Sequence, residues 1–191
     1  MSEQTARKAL THDRILDVAS RAIRRVGYDG VGVASVMKEA GLTHGGFYAH
    51  FPSRKALLAE ATQRAGRDSG AVLLDRIRER QAQGMSPFAG LVNTYLSDAQ
   101  MATSECGCVV AAVAAEIPRQ DQEVANAARA RLLGLVELVR RALPEGTDPQ
   151  QAKVVAATLV GTLQMARALQ GQLGLACLAI ARTTLIQQYD V

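Results

Sequence analysis

The sequence holds no tryptophan and few other aromatic residues, only 4% in all. A core built without large flat rings relies on aliphatic side chains and alanine, and these favour helices packed closely together over a strand-rich sandwich. An all-α fold is the expectation. Cysteine is equally scarce: three in 191 residues, an odd number that argues against a disulfide framework and for reduced thiols. The longest uninterrupted apolar run, Cys108 to Ala115, is too short to cross a bilayer. The polar start MSEQTARK lacks the apolar stretch of a secretory leader, so a cytoplasmic protein with no membrane partner is expected. Histidine is confined to His12, His44 and His50, far in sequence from Cys106 and Cys108. No four ligands at zinc spacing occur, and neither a metal nor another cofactor is expected.

Excess charge is absent from the C-terminal two thirds. Residues 67 to 191 contain 12 Lys+Arg against 12 Asp+Glu, whereas residues 1 to 66 contain 10 against 6, so the whole surplus of +4 sits at one end. A solvated basic face explains such a bias, and so does a domain that grips phosphate backbones.

Apolar periodicity divides the chain into nine helices. Ile15, Val18, Ala19, Ala22, Ile23 and Val26 follow the spacing of an amphipathic helix, with Thr11 as its cap and Gly27 as its stop. Val33, Val36, Met37 and Ala40 mark a short second helix that halts at Gly41. A third begins at Thr43, where Leu42 can pack on Phe47 as a hydrophobic staple, and Phe47 and Phe51 share its buried face. Pro52 ends it, and Ser53 caps a long fourth helix running to about Arg80, weakened in its middle by Gly66 and Gly70. A fifth spans Phe88 to Ala99 and a sixth, almost wholly apolar, Ser104 to Glu116. The seventh runs from Val124 to Ala142, the eighth from an Asp148 cap to about Gln170, and the ninth from Leu175 to Tyr189. Two domains are expected, 1–60 and 61–191.

The second and third helices, joined by Gly41-Leu42-Thr43, have the layout of a helix-turn-helix whose second member enters the major groove of DNA. His44-Gly45-Gly46 places two poor helix formers in the first turn, a costly choice unless the backbone there approaches something closely. Opposite Phe47 and Phe51, the side chains of Thr43, His44, Tyr48 and His50 offer groups suited to phosphates and base edges, although Tyr48 would serve equally to cover the first helix. Arg7 and Lys8 either reach as an arm toward the minor groove or are simply solvated.

The stretch from Gly27-Tyr28-Asp29-Gly30 through Gly41-Leu42-Thr43-His44-Gly45-Gly46-Phe47-Tyr48-Ala49-His50-Phe51-Pro52-Ser53-Arg54-Lys55-Ala56-Leu57-Leu58 resembles the DNA-binding domain of the TetR family, most diagnostically in FYAHFPSRKALL. The resemblance covers about the first 60 residues. It implies a third helix that reads DNA, with Thr43 and Tyr48 on phosphates, His44 and Gly45 near bases, and His50 on the backbone. It also implies a phosphate-binding cation at the start of the fourth helix, here Arg54 with Lys55 beside it where relatives often carry an acid. Gly32-Val33 stands where a Ser or Thr commonly caps the second helix.

For the C-terminal part the resemblance implies architecture: a pocket among the fourth to seventh helices and a homodimer through the last two. The eighth and ninth helices do carry more apolar and small positions, among them Val154, Gly161, Met165, Leu175 and Leu178, than one buried face requires. Helical position makes Phe88, Tyr95, Met101, Gln164 and Met165 candidate pocket liners, each open to an ordinary core role. Cys106 and Cys108, with Gly107 and the apolar helix to Glu116, resemble a subgroup of such regulators in which some members sense electrophiles or oxidants. These thiols therefore either sense or merely pack, and Cys177 packs. The function expected is a repressor on palindromic double-stranded operator DNA, released by a small-molecule inducer or by cysteine modification. The rivals are a ligand-independent DNA-binding factor or activator and, more remotely, a small enzyme, for which no nucleophile with an evident base is present.

Overall fold

The computed structural model describes residues 3–102 and 105–190, and every regular element among them is helical. Among the described residues there are nine α-helices: α1 (Glu3–Val26), α2 (Val33–Glu39), α3 (Arg54–Ala82), α4 (Pro87–Tyr95), α5 (Asp98–Ala102), α6 (Val109–Val113), α7 (Gln122–Ala142), α8 (Gln151–Leu169) and α9 (Gly171–Tyr189). Two 3-10 helices, His44–Ala49 and Ile117–Arg119, complete the chain. No helix among the described residues is long and apolar enough to cross a membrane.

The expected apolar stripe of α1 is its buried face, and Ile15, Val18, Ala19 and Ile23 are sealed against α3. Its start lies earlier than expected. Thr11 is no cap; its hydroxyl donates to the Arg7 carbonyl one turn back, a bond an interior threonine makes inside a continuing helix. Arg7 and Lys8 accordingly lie in helix, on exposed positions.

The turn after α2 is a Schellman motif. Gly41 adopts φ +68°, its amide donates to Lys38 O (3.0 Å), and the Leu42 amide donates to Met37 O (2.8 Å). An L side chain in that conformation costs about 1–2 kcal/mol, so Gly41→Ala is expected to lower the unfolding free energy by about that amount, read from the denaturant midpoint at unchanged slope. A Cβ there meets no atom within 4 Å, which isolates the backbone term from any clash.

The segment His44–Ala49 is a 3-10 helix, not the α-helix expected, and Thr43 precedes it without a side-chain capping bond. Its two glycines and its shortness suit the tighter winding. Ser53 caps α3 as expected, accepting from the Ala56 amide at 3.1 Å. α3 then runs unbroken across residue 60, packing on α1 at one end and on α4 and α7 further along.

The expected fifth helix is split. Ser97 starts α5, accepting from the Gln100 amide at 3.4 Å, while Arg182 of α9 donates to the Leu96 carbonyl that the break sets free. The expected helix over 104–116 shrinks to the five residues of α6. Ser104 lies outside the described residues, 105–108 form a turn, and 114–116 turn again into the second 3-10 helix. Asp148 accepts from the Gln150 amide in the turn before α8. Gln170 and Gly171, at φ +57° and +47°, reverse the chain directly into α9, four residues ahead of its expected start.

Candidate nucleic-acid interface and ligand cavity

Phe47 and Phe51 anchor the 3-10 helix. Both are buried with ring centroids 5.7 Å apart; His12 of α1 stacks on Phe51 at 4.4 Å, and Tyr48 meets Phe47 edge-on at 5.2 Å. This anchoring turns the other face outward. Thr43, His44 and Gly45 are exposed, and Tyr48, 70% exposed, projects its ring into solvent. Tyr48 therefore does not cover α1. Gly46 is half-buried, with its Cα turned toward Met37 of α2 and Thr43.

His50 sits at the margin of this face, its ring 6.2 Å from His12 and its Nδ1 buried without a hydrogen-bond partner. Burial, seconded by His12 and Lys8, holds its pKa below the ordinary imidazole value. At neutral pH it offers one neutral N–H donor instead of a charge. Arg54, expected to face phosphate, is exposed at the start of α3, and its guanidinium also donates to Val31 O at 2.9 Å and to Tyr28 O, tying the turn between α1 and α2 to that helix. Lys55 beside it is exposed too, and among the described residues no side-chain bond ties it down. Sequence spacing alone does not show which of two adjacent cations is steadied by carbonyls of the preceding turn.

The head is fastened to the rest of the molecule through α1. Arg24 donates to Ala65 O of α3 at 2.6 Å and to Glu105 O at 2.9 Å, while Arg25 pairs with the Glu105 carboxylate at 2.9 Å. Glu116 accepts from the Tyr28 amide at 2.8 Å, and its carboxylate fills the space a Cβ at Gly27 would need. The segment carrying Cys106 and α6 is thus gripped at both ends by α1 and the turn that follows it.

A cavity of about 230 Å³ lies between α3, α4, α6 and α7. Of the expected liners, Tyr95 and Cys108 form part of its wall. Phe88 does not: it is wholly buried and packs edge-on against Tyr189 at 5.6 Å. Gln164 and Met165 are elsewhere on α8, and Met165 is 59% exposed. Met101 meets Gly174 of α9. Cys106 is exposed in the turn before α6, not in the first turn of a helix. The wall also holds Gln100 and Arg131, which sequence reasoning passed over.

Residues 15–61 match the family model described as bacterial regulatory proteins, tetR family. The match lies within the N-terminal segment, which carries a helix-turn-helix domain of the tetR type. A domain of this kind supports DNA-binding transcription regulation. Solved structures share the fold over nearly the full length: a TetR-family regulator from Agrobacterium tumefaciens (23% identity, 94% of this chain and 98% of that one, TM-score 0.76), the reduced form of NemR from E. coli (20%, 94% and 97%, 0.74) and a regulatory protein TetR from Rhodobacter sphaeroides (18%, 94% and 99%, 0.77). No curated protein matches the sequence. The TetR head is the part carried by sequence likeness; the remainder is shared as a fold.

Proposed function

We propose that this protein is a homodimeric repressor of the TetR family that binds a palindromic operator and leaves it when a small molecule enters the α3–α4–α6–α7 cavity. The observation that carries the reading is the outward face of the 3-10 helix. Thr43, His44 and Tyr48 are held exposed by the Phe47–Phe51 anchor, in the third of the chain that holds all of the surplus positive charge. Hydroxyls and an imidazole on a rigid apolar footing suit phosphate and base contacts, and Lys55 supplies the free cation. In this reading residues 1–60 are the reading head and 61–191 sense and dimerise, with Arg54 shaping the head.

A second copy has a surface to occupy. Val154, Met165 and Leu169 of α8 and Leu173 and Ile180 of α9 are exposed large apolar side chains, and they flank a groove lined by Thr158, Cys177 and Thr184. A two-fold pair through these helices presents two reading heads to successive turns of one DNA face. Because α3 touches both the cavity and α1, a ligand that displaces its middle moves the head.

The test is binding to genomic fragments selected by the purified protein, followed by footprinting; a symmetric protected site bound several kcal/mol more tightly than random DNA is expected. Uniform, salt-sensitive binding with no preferred site would refute it in favour of a ligand-independent factor. Within the selected site, Tyr48→Phe is expected to weaken binding to all sequences alike by about 1 kcal/mol, the net worth of a hydrogen bond. His44→Ala relaxes base preference by about 1–3 kcal/mol at one position. Equal effects of the two on specificity contradict these roles.

Thiol modification is a second route of release, favoured by one observation. Cys106 is exposed in the turn whose Glu105 is held by Arg24 and Arg25, so a group added there disturbs the head's own attachment. A double Cys106→Ser, Cys108→Ser protein should keep its operator under hypochlorite or quinone that dissociates the wild type. An identical response of the two proteins removes this route.

A further inference from the structure

Gly66, Gly70 and Gly134 line the cavity between α3 and α7, although a glycine inside a helix costs about 1 kcal/mol relative to alanine. Gly66 has a reason within the chain, since the Arg131 stem lies across it where a Cβ would stand. Gly70 and Gly134 have none. A Cβ at either meets no atom within 4 Å, and neither has a left-handed backbone. What they contribute is room.

The wall of that room also carries polar groups. Tyr95 is only 2% exposed, and its hydroxyl has no nitrogen or oxygen partner, only the Cys108 thiol, a weak one, beside it. Gln100 Oε1 and Arg131 Nε are likewise buried and unpartnered. Buried polar groups are almost always paired, so three orphans on one cavity wall define what complements them. Burial keeps the Tyr95 phenol well above its ordinary pKa, which leaves it a donor at neutral pH. Arg131 is a permanent cation that pairs with no carboxylate among the described residues, unlike Arg140 and Arg141 on the same helix, which share Glu137. Arg167, close behind Tyr95 and Cys108, adds a second positive charge. The remaining wall is hydrocarbon from Leu73, Val109, Leu135 and Leu138.

We propose that the cavity binds a compact monocarboxylate with an apolar body, its carboxylate on the Arg131 guanidinium and the Tyr95 hydroxyl and its hydrocarbon between α3, α6 and α7. This rests on the cavity being the inducer site, and it narrows the inducer to one chemical class. The volume lies below the usual range for drug-sized ligands, which limits the body to about the size of a single ring or a short chain.

Calorimetric titration of the full chain with benzoate and hexanoate, against benzamide and hexanamide, tests the class without DNA. The acids are expected to bind at least about tenfold more tightly than their amides, the worth of a charge-assisted pair. Arg131→Gln should erase that preference, Tyr95→Phe should reduce it several-fold, and Gly134→Leu, which fills the room without a clash, should abolish binding of acids and amides alike. Circular dichroism melts confirm that each variant is folded, and Tyr95→Phe keeps the question open to decision should Arg131→Gln unfold. Equal binding of acids and amides, no binding of either, or an unchanged preference in both polar variants overturns the proposal. Operator binding is measured separately. Acid binding that leaves the operator complex intact upholds the ligand class and defeats the inducer reading, whereas operator binding with no acid affinity does the reverse.

Discussion

Arg24→Met is expected to lower the unfolding free energy by about 2–4 kcal/mol, the largest stability effect of any single polar side chain in the head. Arg24 is 6% exposed, and burial depresses its pKa, with Asp68 the leading opposing influence. The guanidinium remains charged, as arginine does in proteins generally. It draws three segments together by donating to the carbonyls of Ala65 and Glu105 and, at 3.4 Å, of Ser20. Methionine keeps the apolar stem but leaves two buried carbonyls facing a thioether. Bonds from a charged donor are worth about 1.5–3 kcal/mol each, and removing the charge recovers part of its own desolvation cost, which sets the net figure. The check is urea denaturation, with the midpoint falling at an unchanged slope. An unaltered midpoint would mean that water or a neighbouring donor replaces the guanidinium, and that the 105–108 turn is not fastened through Arg24.

The parts of the molecule visible in the sequence are those decided locally. The buried stripe of α1, the Gly41 turn, the Ser53 cap and the Phe47–Phe51 anchor all follow from spacing and from residues with one strong conformational use. Side chains whose role depends on a distant partner were not visible. Thr11 looks like a cap until the helix is seen to continue through it, and nothing local shows that Arg54 also donates to the carbonyls of Tyr28 and Val31. The apolar run before Glu116 suggested a long helix, but the structure keeps only five helical residues, because Arg24, Arg25 and Tyr28 hold its two flanks in turns. Periodicity placed Tyr95 on the cavity and misplaced Phe88, since both lie on the inner side of α4 and only the packing of α9 decides which faces a gap. The cavity did leave one local signal: Gly66 and Gly70, four residues apart in a long helix, the first making way for the Arg131 stem and the second leaving open room.

Gly45→Ala should separate folding from DNA recognition. A Cβ at Gly45 meets no atom within 4 Å and the residue has no left-handed φ, so the fold does not require glycine there. The variant is expected to unfold at the same temperature or slightly higher, by up to about 1 kcal/mol of added stability from the helical preference of alanine. Its affinity for the operator should nevertheless fall by about 10–100-fold. A methyl group pushed into a tight interface costs about 1–3 kcal/mol, and the exposed first turn between His44 and Tyr48 is where the backbone comes nearest to DNA in the proposed complex. Gly46→Ala supplies the contrast. Its Cβ points inward, to ordinary contact with Met37 Cε at 3.8 Å and Thr43 Oγ1 at 3.9 Å, so it should leave operator affinity nearly unchanged. Fluorescence anisotropy on a labelled operator, beside a thermal melt of each variant, reads both quantities. Were Gly45→Ala to bind DNA as tightly as the parent while Gly46→Ala did not, the outward face of the 3-10 helix would not be the surface that meets the groove.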